Sequence, residues 1–248
     1  MNPRFLLTLS VLPSLAKAEK TFVPVDMIAL GVGNASIVDV GQVTANAFPY
    51  GNPSTAGGGV PFILTTANSQ MWAARNALGG TSQNDVSQVF SVPVNDIYGV
   101  YTLANTYWGV AGTYVSYRFD FSDSTHYIRQ LTNGVDLRDF NKFTNTFANT
   151  VNGTTTKTFY DDPFTWSRID RQWIDLDAAG YGGKNLTSLT ITDTGGENVS
   201  RVFVVAMTFQ SGEAGEVAIV PVPEPSAYGL ALGGLVLAVA ALRRRRKA

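Results

Sequence analysis

The stretch GTYVSYRFDFSD, residues 112–123, sets the tightest limit on what this chain can fold into. Val115, Tyr117, Phe119 and Phe121 alternate with Tyr114, Ser116, Arg118 and Asp120. A period of two sends the first set to one face and the second to the other, which is the signature of a strand with one buried side. The pattern returns in NLTSLTITD (185–193), where Leu189 and Ile191 alternate with Ser188, Thr190 and Thr192. In VSRVFVVAMTF (199–209), Phe203, Val205 and Met207 occupy one side and Val202, Val204 and Ala206 the other. A strand apolar on both faces belongs in an interior position. GVPFILTT (59–66), DVSQVFSVPV (85–94) and IYGVYTLAN (97–105) are further strand candidates. Asn-Gly at 133–134 and 152–153 and Gly-Gly at 182–183 and 195–196 supply turns. Helical periodicity is confined to short stretches at 70–78 and 136–143. The expectation is an all-β chain, an antiparallel β-sandwich, forming one domain over residues 19–213.

The two ends are of another kind. Residues 1–18 carry Arg4, an apolar run from Phe5 to Leu15 and small residues at Ala16 and Ala18, the order of a secretory signal with cleavage after Ala18. Residues 214–225 form a Pro-rich linker, 226–242 an uncharged span and 243–248 a basic tail. Seventeen residues as a helix extend roughly 25 Å, slightly less than a ~30 Å hydrocarbon core. Arg243, Arg244, Arg245, Arg246 and Lys247 resist translocation, so the tail stays cytoplasmic and a short transmembrane helix precedes it.

Pro221, Pro223 and Pro225 hold the approach to that helix extended. Val222-Pro223-Glu224-Pro225, then the apolar span, then the arginine cluster, resembles the PEP-CTERM sorting signal of bacterial surface and exopolysaccharide-associated proteins. The resemblance covers about the last 27 residues. It implies processing near Pro223 to Pro225 by exosortase, a membrane cysteine protease-transpeptidase, with this chain as substrate. The expected route is the secretion translocon, signal peptidase, transient anchoring in the inner membrane, then the cell surface or extracellular matrix.

The middle of the chain bears a looser likeness. Its strand rhythm over roughly residues 90–210, with GVDLRDF and SRIDRQWIDL between the strands, is similar to galactose-binding-like jelly-roll modules. That likeness implies loops at one end of the sandwich able to hold a glycan. Nucleic acid is not an expected partner. Setting aside the seven basic residues at the two ends leaves eleven against nineteen acidic ones, a net charge of −8. Such a surface has no clustered Lys and Arg for phosphates.

No catalytic site is expected, and the chain reads as a non-enzyme. His126 is the only histidine, the chain has no cysteine, and neither G-x-S-x-G nor H-E-x-x-H occurs. Asp161, Asp162, Asp170, Asp175 and Asp177 crowd one stretch. They open an alternative, a secreted carbohydrate-active hydrolase using two of them as its carboxylate pair. No cofactor is expected beyond a structural calcium, for which Asp120, Asp123, Asp175 and Asp177 are candidate ligands. Asp175-Leu176-Asp177 starts like a calcium loop, but Ala179 and Leu186 stand where further oxygen ligands belong. Trp108, Trp166 and Tyr181 are the candidates for stacking on sugar faces. The sequence thus points to an exported surface or exopolysaccharide-matrix protein whose sandwich binds glycans weakly. A structural matrix protein without a ligand is the other alternative.

Overall fold

The computed structural model describes residues 19–40, 43–44, 46–66, 69–74, 86–107, 109–142, 156–195 and 199–217. In chain order the elements are β1 (Thr21–Pro24), one helical turn α1 (Ile37–Val40), β2 (Gly51–Gly57), β3 (Val60–Leu64), β4 (Trp72–Ala73), β5 (Val86–Phe90), β6 (Val94–Tyr107), β7 (Gly112–Phe121), β8 (His126–Asn133), β9 (Thr156–Asp161), β10 (Arg168–Asp175), β11 (Lys184–Asp193) and β12 (Arg201–Ser211). Each stretch read as a strand from its alternation contains one.

Ten strands form one curled sheet whose spine runs β1-β12-β6-β11-β7-β8, and β2 and β3 form a separate hairpin. The curl comes from changes of partner along β6 and β11. One edge of β6 holds β12 from Ile97 to Tyr107. Its other edge meets β11 at Val94 and Ile97, then β10 from Gly99 to Leu103. Beyond Leu186, β11 takes β5 on one edge and keeps β7 on the other. The sheet therefore forks into two antiparallel layers, β9-β10-β6-β12 with β1 and β4 alongside, and β5-β11-β7-β8. This is the sandwich-like, all-β architecture expected from the pattern.

Val115, Tyr117, Phe119, Leu189 and Ile191 of one layer pack against Val100, Ala104, Ile174, Met207 and Phe209 of the other. Each such side chain is worth about 1.5–3 kcal/mol when fully removed from water. The outer face of the β10-β6-β12 layer is covered as well. Phe62 and Leu64 of β3, Ile37 of α1 and Phe48 pack there on Tyr101, Leu103, Trp173 and Phe203. Coverage on both faces explains why β10 is buried from Arg168 to Ile174 and β12 from Arg201 to Gln210.

Two local expectations change. In β12, Met207 does not share a face with Phe203 and Val205; it joins Val202, Val204 and Phe209 between the layers, while Ala206 joins Phe203 and Val205 outside. The register against β6 slips between Val204 and Ala206, and the extra residue of that bulge inverts the alternation beyond it. The described residues of 70–78 and 136–143 are also not helical. Trp72 and Ala73 pair with β12. Leu137, Asp139 and Asn141 make isolated bridges to Asn133, Thr106 and Ser167.

Candidate functional site

The most enclosed hollow in the described surface lies where the two layers part along β10. β9 pairs with β10 only as far as Thr156 opposite Gln172. Trp173, Ile174 and Asp175 then keep β6 on one edge and have no strand on the other among the described residues. Tyr127 and Arg129 approach this stretch from β8, and the turn after β10 and Glu216 close the rim. The cavity is about 450 Å³ and is lined by Tyr127, Arg129, Trp173, Ile174, Asp175, Ala178, Ala179 and Glu216.

Each wall is held from behind. The Trp173 ring stacks on Tyr101 at 4.4 Å between centroids. It lies so close over Gly99 that a β-carbon there would meet its ring at 2.0 Å. Tyr127 stacks on Phe119 at 6.1 Å and leans on Tyr181 at 5.0 Å. Arg129 is paired with Asp136 at 3.0 Å. Asp175 accepts the Ala178 N–H at 2.9 Å. Glu216 bridges Lys157 at 2.8 Å and Arg171 at 3.1 Å. Aromatic walls with fixed carboxylates and a guanidinium suit a hydroxyl-rich ligand, whose C–H faces pack on rings and whose hydroxyls need donors and acceptors.

The residues singled out from sequence are dispersed. Tyr181 is half-buried behind Tyr127 and stacks on Phe121 at 5.3 Å, so it buttresses the cavity wall. Trp166 lies before the start of β10, whose eight residues separate it by roughly 25 Å from the cavity end. It is 57% exposed beside Phe164 at 76%. Phe164 escaped the sequence reading because an isolated Phe in a turn carries no periodicity. The turn is pinned by Asp162, whose carboxylate accepts N–H bonds from Phe164 at 2.8 Å and Thr165 at 2.9 Å and also binds Thr44. Burial alone would raise this carboxyl, but the Thr44, Phe164 and Thr165 N–H groups and the Thr44 hydroxyl outweigh it and hold the pKa below the usual value. Trp108 lies outside the described residues.

The candidate calcium ligands do not converge, and among the described residues no three His, Asp or Glu side chains cluster. Asp120 pairs with Arg118 at 2.9 Å. Asp123 binds Lys184 at 2.6 Å and the Thr125 hydroxyl at 2.6 Å. Lys184 first, then Thr125, holds its pKa far below the usual carboxylate value. Asp175 caps its own turn, and Asp177 is exposed beside it. The crowded aspartates separate as well. Asp161 is exposed and paired with Lys142. Asp170 is fully buried and receives Arg138 Nε at 2.7 Å, Arg138 Nη2, and Asn105 Nδ2 at 2.9 Å. Asp170 thus neutralises a buried arginine and has no open approach.

The chain leaves β12 along the outer face of the β10-β6-β12 layer. The Gln210 amide donates to the Glu213 and Gly215 carbonyls at 2.6 and 3.0 Å, and Lys20 Nζ reaches Gly215 at 2.6 Å. Arg171 donates to the Val217 carbonyl at 2.6 Å, and the Val217 N–H donates to the Tyr101 hydroxyl at 2.6 Å. Burial pushes the Tyr101 phenol up to about 12, with that N–H and Arg171 pulling the other way. Residues 214–217, expected as linker, are thus seated on the sheet.

Four residues past Val217 a recognised segment begins: residues 221–246 match the family described as the PEP-CTERM protein-sorting motif. The motif places the chain among exported proteins with a cell-surface or extracellular destination. Exosortase is the processing partner it implies, as the Pro-Glu-Pro, span and arginine cluster led one to expect. No curated protein and no solved structure matches the chain. The signal segment 1–18, Val222 to Pro225, the span 226–242 and Arg243 to Lys247 lie outside the described residues. Among those described, no helix is long and apolar enough to cross a membrane.

Proposed function

We propose that this is an exosortase-sorted component of an extracellular polysaccharide matrix, anchored briefly in the inner membrane, whose β-sandwich holds a glycan and performs no catalysis. The observation that carries the glycan reading is the cavity along the free stretch of β10. At about 450 Å³ it has room for a sugar residue or two, and Trp173 and Tyr127 with Arg129, Asp175 and Glu216 supply the mixed lining such a ligand needs. The strand rhythm shared with galactose-binding-like modules supports the same ligand class. Binding is weak, because Trp173 and Tyr127 are largely occupied by stacking on their own neighbours.

The test is a glycan array and a panel of hydrolase substrates, applied to the protein exported from cells that contain exosortase. Binding abolished by Arg129→Ala and Asp175→Ala but kept in Trp166→Ala supports the cavity. The reverse outcome moves the site to the Phe164–Trp166 turn. A blank array makes the chain a structural matrix protein without ligand, and turnover makes it the hydrolase.

A further inference from the structure

The seated segment between β12 and the sorting motif has a consequence for processing, and it rests on the motif alone, independent of any glycan. From Val217 to Pro221, where the matched motif starts, the chain takes four residue steps. Fully extended, these span at most about 14 Å. A domain of about 200 residues has a radius of gyration of about 16 Å and reaches roughly 20 Å from its centre. With Val217 in its seat the motif stays close under the folded body, where a membrane-embedded enzyme meets the domain before it meets the motif.

Freed back to Ser211, the end of β12, the tether becomes ten residues long and reaches about 35 Å. Further release is blocked, because β12 is held by β1 from Thr21↔Ser211 to Pro24↔Thr208. Gly212 marks the boundary. Its φ is +83°, and a β-carbon there would lie 2.4 Å from the Glu19 carbonyl. The segment from Glu213 to Val217 is held chiefly by polar contacts at its carbonyls, one N–H and Glu216, so it can leave while the sheet stays intact.

We propose that Glu213–Val217 is a latch, seated on Arg171, Tyr101 and Lys157, that keeps the sorting motif against the folded domain and must peel away before exosortase takes the motif. Processing of the folded protein then runs at a rate set by the fraction of molecules with the latch open.

The experiment follows conversion of the full-length chain to its processed form by pulse-chase in exosortase-containing cells. Tyr101→Phe with Lys157→Ala removes the hydroxyl that receives Val217 and one of the two cations on Glu216, while the ring over Trp173 and Arg171 remain. Two lost polar contacts are expected to speed conversion about tenfold. Six Gly/Ser residues inserted between Val217 and Ala218 add about 20 Å of reach and leave the sheet untouched. This insertion is expected to speed conversion to a similar degree and to make it insensitive to the double variant. Hydrogen exchange at the Val217 amide is expected to rise in the double variant and stay unchanged in the insertion form. One common rate for all forms, or slower conversion when the latch is weakened, overturns the proposal and leaves the sorting assignment standing. Absence of conversion in every form overturns both.

Discussion

Replacing Arg138 by Met tests whether Asp170 is a structural counter-ion or a reacting group. The carboxylate is 0% exposed, and two of its three hydrogen bonds come from Arg138, the third from Asn105. Removing the guanidinium leaves Asp170 with Asn105 and, more distantly, Arg168 Nε at 3.7 Å. Breaking a buried pair by deleting one partner costs about 3–5 kcal/mol, since the remaining charge has neither water nor a counter-ion. A domain this size shifts its melting midpoint by about 2–4 °C per kcal/mol, so Arg138→Met should melt roughly 6–20 °C below the parent. Asp170→Asn should behave similarly, because it strands the arginine instead. The double change Arg138→Met with Asp170→Leu should regain most of the loss, since apolar groups of similar volume replace a buried pair at little net cost. The measurement is thermal and urea denaturation of all four proteins. A single-variant loss below about 1 kcal/mol would falsify the structural reading, as would a double variant no better than the singles.

Gly99→Ala drives a methyl into the Trp173 ring and the Ile174 carbonyl, at 2.0 and 2.6 Å. An overpacking loss of about 1–3 kcal/mol is expected, with a shifted tryptophan emission as the ring leaves the cavity wall. Phe164→Ala and Trp166→Ala, at exposed positions, should leave the melting midpoint within about 0.5 kcal/mol of the parent. Asp162 has a folded pKa below its unfolded value, so its contribution is complete above the unfolded value, about 4, and is lost as pH falls through the folded one. Exchange at the Phe164 and Thr165 amides should therefore speed up in acid. In Asp162→Ala it should be fast already at neutral pH.

Alternation in 112–123 and 185–193 carried over directly into β7 and β11, because each strand exposes one face to a neighbour and the other to solvent or a thin cover. In β12 the same kind of reading failed at Ala206 and Met207. Both faces of that strand are apolar, so nothing in its own composition marks where a bulge inverts them. Trp166 could be picked out as a loop aromatic, whereas Trp173 and Tyr127, which line the cavity, look like core residues in their own segments. The crowding of Asp161 to Asp177 was a nearness along the chain. Pairing with Lys142, Arg138 and the Ala178 amide disperses those carboxylates in space.

By itself the sequence determined the strands, their antiparallel all-β class, and the sorting tail, since each depends on residues within one short window: a period of two, a turn pair, or three adjoining segments of proline, apolar and basic residues. Tertiary structure alone decided where the sheet forks, that Tyr127 and Arg129 face Trp173 and Asp175, and that Val217 is seated on Arg171 and Tyr101. Those arrangements depend on which distant strand fills each edge of β6 and β11. That choice is made by summed packing across the whole core and leaves no mark in any single stretch of chain.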